Sequence, residues 1–455
     1  MPKITMLGAG SGFAPRLVTD IAHIEGLAQS EIRLVDIDPK RLKIIAPLCR
    51  KIMDLCGREK WGLTATTDRR EVLAGSDYLI NFIEVSGVKT VRLDNDIPEK
   101  YGVTQCIGDT IGPGGIMKAL RTIPSWLEIL GDAERLCPKA LVLNYTNPMS
   151  MMTLAAVRAS RLPVVGLCHS VQGTSEHLAR WLKVPYQDFR WRCAGINHMA
   201  WFTELTYRGK DQYPRLHRIC QAPEVYEQDP IRIETMWATG YFVTESSGHF
   251  SEYVPYFRKR RDLIRKYCRP HYRGESGFYA RDWPKWRRDV DAHRRRQLAG
   301  KAELNLRRSH EFASNIIEAV EKNQPTVIHG SVLNAGLIPN LPAEGVVEVP
   351  VMIDRSGLNP IRFGPLPEVV AALCRSNMAV YELTVQAILE KDAEKVYHAV
   401  LLDPNTASVC SPAETRRMTD ELLKAERRYV PPWTQSRLGK GRTVAKSVGR
   451  PAGKK

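Results

Sequence analysis

The sequence predicts an α/β protein: a doubly wound parallel sheet in the N-terminal part, followed by a mixed α+β domain. Three observations carry this. Over the first 170 residues, short apolar runs alternate with longer amphipathic segments, the pattern of a parallel sheet covered by helices on both faces. A glycine-rich turn follows the first apolar run at once. After about Gly195 the regular alternation gives way to aromatic and basic segments such as Tyr253 to Tyr272 and Trp283 to Arg296. The chain has 455 residues, several times the ~150 of a typical domain. The expected division is 1–195, 196–433 and a basic, disordered tail over 434–455.

Taken in order, Ile4 to Leu7 reads as the first buried strand, Arg16 to Ile24 as a helix and Ile32 to Val35 as the second strand. Later strands are expected at Asp77 to Glu84, Ala140 to Asn144 and Pro163 to Cys168, each running into a polar or small-residue loop. Ligands of open α/β sheets bind beyond the carboxyl ends of the strands, so the residues just after these runs are the candidates for function. Leu366 to Lys391 has helical apolar spacing, and its part from Glu368 to Tyr381 is expected to pack on the first domain. Arg287 to Arg296 reads as a solvated helix face or an oligomer surface, because no nucleic-acid module accompanies it.

Composition narrows the class. Hydrophobic residues at 43% and charged residues at 25% exclude a disordered or collagenous chain. No apolar run approaches the ~18 residues of a membrane span, and glycines interrupt the N-terminus before a signal-peptide core, so no membrane partner is expected. Ten scattered cysteines without a CxxC pair point to neither a disulfide framework nor a zinc ribbon, which fits a reducing cytoplasm. The net charge of +16 is uneven: seven Lys and Arg and no acid lie between Thr434 and Lys455, leaving +9 for the rest. That tail reads as a solvated appendage before a polyanion-binding arm, and no specific nucleic acid is expected as partner.

The opening motif carries chemistry. A strand, then Gly8-Ala9-Gly10-Ser11-Gly12, then a helix is the arrangement that brings backbone N–H groups and a helix N-terminus to a pyrophosphate. The next strand ends in Asp36-Ile37-Asp38, with Asp36 the better candidate to bind a ribose 2′-hydroxyl. An acid there repels a 2′-phosphate, so NAD is favoured over NADP. Phe13 replaces the third glycine of the fingerprint. On these residues alone the reading is a dehydrogenase of the malate or lactate type.

Further candidates follow the later strands. Cys168-His169-Ser170, and His198 thirty residues on, offer a thiolate and an imidazole for a borderline divalent ion; the alternative is a small buried cysteine. Asn144 to Pro148 offers amides to a hydroxyl-rich ligand, or is a proline-ended turn. The glycines of Ile111 to Gly115 mark close approach to a ligand or to the chain itself. Gly240 to Tyr253 gathers acids, hydroxyls, a histidine and tyrosines suited to proton transfer, or forms a polar surface loop.

These motifs together resemble glycoside hydrolase family four, the NAD- and metal-dependent glycosidases. The matching segments include GAGS, DIDPKRL, IGPGGIMKALRTIP, NYTNPM, GLCHSVQGT, CAGINHMAWF and GYFVTESSGHFSEYVPYF, and the similarity spans nearly the whole chain except the tail. Within the family the resemblance is to the α-galactosidase group, with α-glucosidase and α-glucuronidase as neighbouring specificities. It implies a Rossmann-like NAD-binding domain, with Gly8, Gly10, Ser11, Gly12 and Asp36 at the cofactor. It implies Cys168 and His198 as ligands of Mn²⁺ and Asn147 at the sugar of a small galactoside substrate. His169 takes the general-acid position, with a metal-organised water as fallback. Tyr253 aligns with the family's proton-abstracting tyrosine, and Glu245 is the alternative base. The implied reaction oxidises C3, removes the C2 proton, eliminates the glycosidic oxygen and returns the retained hydride. A homodimer or homotetramer is also implied.

Overall fold

The computed structural model describes residues 1–27 and 29–436. The basic tail from 437 onward lies outside the described residues. Thr434, which the sequence assigns to that tail, is buried in a short turn of 3₁₀ helix at Pro432–Gln435.

Thirteen strands form one sheet among the described residues: β1 (Lys3–Leu7), β2 (Glu31–Val35), β3 (Gly62–Thr66), β4 (Tyr78–Asn81), β5 (Leu141–Asn144), β6 (Val164–Leu167), β7 (Phe189–Ile196), β8 (Met199–Tyr207), β9 (Lys210–Asp211), β10 (Phe242–Val243), β11 (Thr326–Leu333), β12 (Val346–Asp354) and β13 (Gly357–Pro360). The first six run parallel in the order β3-β2-β1-β4-β5-β6, the doubly wound order of a dinucleotide-binding fold. β1, β4, β5 and β6 are buried along almost their full length, as strands covered on both faces must be. β4 is shorter than the expected Asp77 to Glu84, because beyond Asn81 the chain leaves the sheet and Glu84 meets the Lys118 ammonium at 3.1 Å.

The sheet continues past β6 through β11, β12, β7, β8 and β10, now antiparallel. The boundary expected at Gly195 falls inside β7, and segments on both sides of it pair in the same sheet. A single register row crosses the whole structure: Thr66, Val35, Leu7, Asn81, Asn144, Gly166, Ser331, Glu348 and Gly195. Two joints in it are thin. β6 and β11 share two register pairs, and β12 and β7 share one.

The main hydrophobic core runs under the parallel strands and onto the helix Glu368–Glu390, which packs against the helices Met149–Ala159 and Gly112–Leu136 of the N-terminal half, as its spacing predicts. A second cluster, with Leu178, Phe202, Leu216, Ile233 and Phe242, lies beside β7 and β8. Among the described residues no helix is long and apolar enough to cross a membrane.

Candidate active site

The glycine turn is fixed by the strands around it. The amides of Gly8 and Ala9 both donate to the Val35 carbonyl at 2.9 Å, which ties the turn to the end of β2. Gly8 has φ +85°, and a Cβ there would come within 2.7 Å of the Phe82 carbonyl oxygen, so only glycine fits. Asp36 accepts from the Gly10 amide through one carboxylate oxygen and from the Asp38 amide through the other, both at 2.8 Å, leaving lone pairs for a further donor. Asp38 is used differently: it caps the helix Pro39–Leu55. Gly8, Val35, Asp36 and Ile37 line a cavity of about 450 Å³. Phe13, where the third glycine would stand, packs edge-on against Phe82 and Tyr145. No side chain caps the helix Ala14–Ala22 that follows; Pro15 has no N–H and the Arg16 amide donates to the Phe13 carbonyl at 3.1 Å.

A second cavity, about 400 Å³, continues from the turn: Ser11 and Phe13 share its wall with Asn147, Cys168, His169 and His198. Cys168 and His169 extend from the end of β6, and His198 stands at the tight β7–β8 connection with φ +64°. Glu245, just after β10, comes to the same place. One donor atom each from Cys168, His198 and Glu245 lie within 4.8 Å of one another. Thiolate, imidazole and carboxylate together suit a borderline divalent ion, and the adjoining open cavity leaves coordination positions for substrate.

The other expected residues divide. Asn147 and His169 are on the cavity wall. The His169 Nε2 approaches the Glu311 carboxylate at 2.6 Å, and the ring stacks on Phe312. Tyr253 is fully enclosed; its hydroxyl lies 3.1 Å from His198 Nδ1, behind the imidazole and away from the cavity. With His198 Nε2 turned to the cluster, Nδ1 carries the proton and donates to Tyr253, which fixes the ring as an outer partner of a metal ligand does. Glu245 accepts from the Tyr272 hydroxyl at 2.8 Å and lines an adjoining cavity of about 560 Å³, whose wall also includes Asn147, Cys168, His169 and His198. The glycines of the Ile111 to Gly115 segment approach their own chain, since a Cβ on Gly115 would come within 2.5 Å of the Thr110 carbonyl carbon.

Residues 3–184 match the model of the family 4 glycosyl hydrolases, and residues 193–406 match that of the family 4 glycosyl hydrolase C-terminal domain. The chain belongs to family 4 of the glycosyl hydrolases. This family 4 enzyme is 39% identical over 438 residues to an α-galactosidase of Bacillus subtilis (strain 168), covering 95% of the chain and 99% of that protein. It is 37% identical over 442 residues to an α-galactosidase of Rhizobium meliloti (strain 1021), covering 95% and 90%. Among solved structures, a 6-phospho-α-glucosidase from gut microorganisms, in complex with NAD and Mn²⁺, superimposes with a TM-score of 0.78 at 21% identity, over 94% of this chain and 99% of that one.

The electrostatics of the family 4 site follow from enclosure and close charges. Burial alone would raise the Cys168 thiol, but His198 draws it down to about 7, while Cys168 and Glu245 push His198 up to about 10 against its own desolvation. Around neutral pH the free site is therefore divided between thiol and thiolate beside an imidazolium, and a divalent ion must displace the His198 proton and any left on Cys168. Binding of a divalent ion is accordingly expected to release between about one and two protons near neutral pH and to tighten as pH rises from about 6.5 to 8.5. Calorimetry in buffers of different ionisation enthalpy reads both, and a pH-independent affinity would contradict the assignment. Burial opposes ionisation of Glu245, but His198, His249 and the Tyr272 hydroxyl hold it below the usual carboxylate range. His169 is lowered by burial and raised by more through Glu311, so it is protonated further into the neutral range than a free imidazole. Burial and the Cys168 charge push Glu348, next to last in the register row, well above the usual carboxylate range.

The sequence did not point to several groups on this wall. Lys118 is buried against both Glu84, at 3.1 Å, and Asp109, at 3.2 Å, and these acids hold it charged. Tyr279, Trp283 and Arg287 come from the helix Phe278–Leu298; of these only Arg287 falls in the stretch to Arg296 expected to be a solvated helix face or an oligomer surface. The acids that pair with Lys118 lie 34 and nine residues away, a separation at which spacing carries no signal.

Proposed function

We propose that this family 4 hydrolase is an NAD- and Mn²⁺-dependent α-galactosidase. The observation that carries the reading is a pair of adjoining cavities: Ser11 and Phe13 beside the glycine turn share the wall of one with Cys168 and His198, and Cys168 and His198 share the wall of the other with Glu245, so one sugar can meet a dinucleotide and a metal ion at once. The two relatives at 39% and 37% identity bear the name α-galactosidase. When bound, the nicotinamide would supply reversible hydride acceptance from the sugar and the metal would supply Lewis acidity to its oxygens, with Cys168 and His198 as the residues to hold the ion.

The chain's own residues do the rest. Cys168 and His198 hold the ion, and Asn147 presents its amide to a ring hydroxyl. Glu245, ionised and on the wall, takes the C2 proton; Tyr253, enclosed with its hydroxyl pushed well above 10 by burial and by neighbouring Tyr381 and acids, holds His198 in place. His169, charged beside Glu311, gives its proton to the departing glycosidic oxygen.

The test is release of nitrophenol from para-nitrophenyl-α-galactoside by dialysed protein, with NAD⁺, Mn²⁺ and thiol reductant each present or withheld. Turnover that needs both NAD⁺ and Mn²⁺ and accumulates no NADH is expected. No turnover in the complete mixture, with turnover of the α-glucoside or α-glucuronide instead, would move the specificity within the family; stoichiometric NADH would overturn the hydrolytic reading.

A further inference from the structure

The helix Phe278–Leu298 carries a basic run that the N-terminal motif gives no reason to expect near it, yet one face of the helix lies on the glycine turn. Positions 283, 287, 290, 291 and 294 recur at helical spacing and so share that face. At its far end the Arg294 guanidinium donates to the Gly12 carbonyl at 2.6 Å. One turn back, Asp291 pairs with Arg41 at 3.0 Å, and Val290 packs so tightly on Gly12 that a Cβ there would overlap it. Another turn back, Arg287 and Trp283 join Ser11 and Phe13 on the cavity wall. Gly12 is thus demanded by this helix, whatever else it serves.

The two arginines are short of partners. Half-buried Arg287 meets no hydrogen-bond or ion-pair partner among the described residues. Arg294 is bonded only to the Gly12 carbonyl and to Gln297, with no acid, and its Nε is buried without a partner. Asp291, the acid on the same face, is taken by Arg41. Arg287 thus sets an unpaired guanidinium beside the glycine turn, while the acids on the same cavity wall, Glu84 and Asp109, are held by Lys118.

We propose that this face is the outer wall of the dinucleotide site, that Arg294 fixes the helix on the glycine turn, and that Arg287 meets the pyrophosphate from the side opposite the turn. The inference rests on the NAD reading above. It gives the cofactor a cover contributed by the C-terminal half, as an enzyme that must keep its NADH between two half-reactions requires.

The experiment is calorimetric titration of the full-length protein with NAD⁺, ADP and adenosine, for the wild type, Arg287→Gln and Arg287→Lys. Because Arg287 has no partner to lose, Arg287→Gln is expected to melt at the wild-type temperature without ligand. NAD⁺ and ADP affinities should fall about tenfold or more, as for loss of a charge-assisted hydrogen bond. Adenosine binding should be unchanged, and Arg287→Lys should recover part of the loss. NAD⁺ and ADP bound as tightly by Arg287→Gln as by the wild type would overturn the inference, and so would an equal loss of adenosine, which would mark a distorted fold. A wild type that binds no NAD⁺ would instead remove the cofactor reading itself.

Discussion

Cys168→Ser is expected to lower metal-dependent turnover by about three orders of magnitude or more while leaving NAD⁺ affinity close to wild type. The size follows from what is lost: a Lewis acid is worth several kcal/mol of transition-state stabilisation, and each 1.36 kcal/mol is about one decade of rate. The thiol is drawn down to about 7 by His198 and so gives up its proton readily when the ion arrives. A serine alcohol in the same place stays protonated and is a hard, neutral ligand. The cofactor residues hang from β1 and β2, whereas Cys168 follows β6 and its close polar neighbours are Ser170, at 3.4 Å, and His198. Mn²⁺ titration, NAD⁺ titration and turnover on one preparation separate the effects, and undiminished turnover would remove Cys168 from the site. The same thiolate makes the enzyme dependent on reductant when the metal is absent.

The second large effect distinguishes Glu245 from Tyr253. Glu245→Gln is expected to cut turnover by about 10²- to 10⁴-fold, the usual contribution of a general base, and to stop incorporation of solvent deuterium at C2 while Mn²⁺ still binds. Tyr253→Phe is expected to retain deuterium incorporation at saturating metal and to weaken Mn²⁺ binding by about 10- to 100-fold, the usual cost of losing an outer partner of a ligand histidine. The reason is geometric: the Glu245 carboxylate reaches the cavity, whereas the Tyr253 hydroxyl faces His198 from behind. The reverse pattern would return proton abstraction to Tyr253. Loss of Mn²⁺ binding in Glu245→Gln would make Glu245 a third metal ligand.

Much of this was readable because it is local. β1, β2, β5 and β6 each coincide with a short apolar run, and the turn at Gly8 and the acid at Asp36 are fixed by backbone geometry within some thirty residues. Cys168 and His198 follow strands, where ligands of such sheets gather. What was not readable depends on partners far away in the chain. Arg287 to Arg296 has the composition of a solvated face, and only the contact of Val290 and Arg294 with Gly12, nearly 280 residues earlier, turns it into a wall. A tyrosine in a polar segment carries no mark of whether its hydroxyl meets solvent or a neighbour's imidazole, so the enclosure of Tyr253 had no sequence signal. The boundary near Gly195 follows a real change of periodicity, but hydrogen bonding carries the sheet across it through β7.

The thin joints at β6–β11 and β12–β7 tie catalysis to cohesion. Along most of the row many backbone hydrogen bonds hold neighbouring strands together, yet at these two places only three residue pairs do so. Cys168 hangs from one bank of this gap and His198 from the other. An ion gripped by both is a clasp, and its affinity is also a contribution to folding. Once the ion is saturating, each tenfold gain in its affinity adds about 1.4 kcal/mol to the unfolding free energy. A weaker grip on such an ion would therefore also loosen the sheet between β6 and β7.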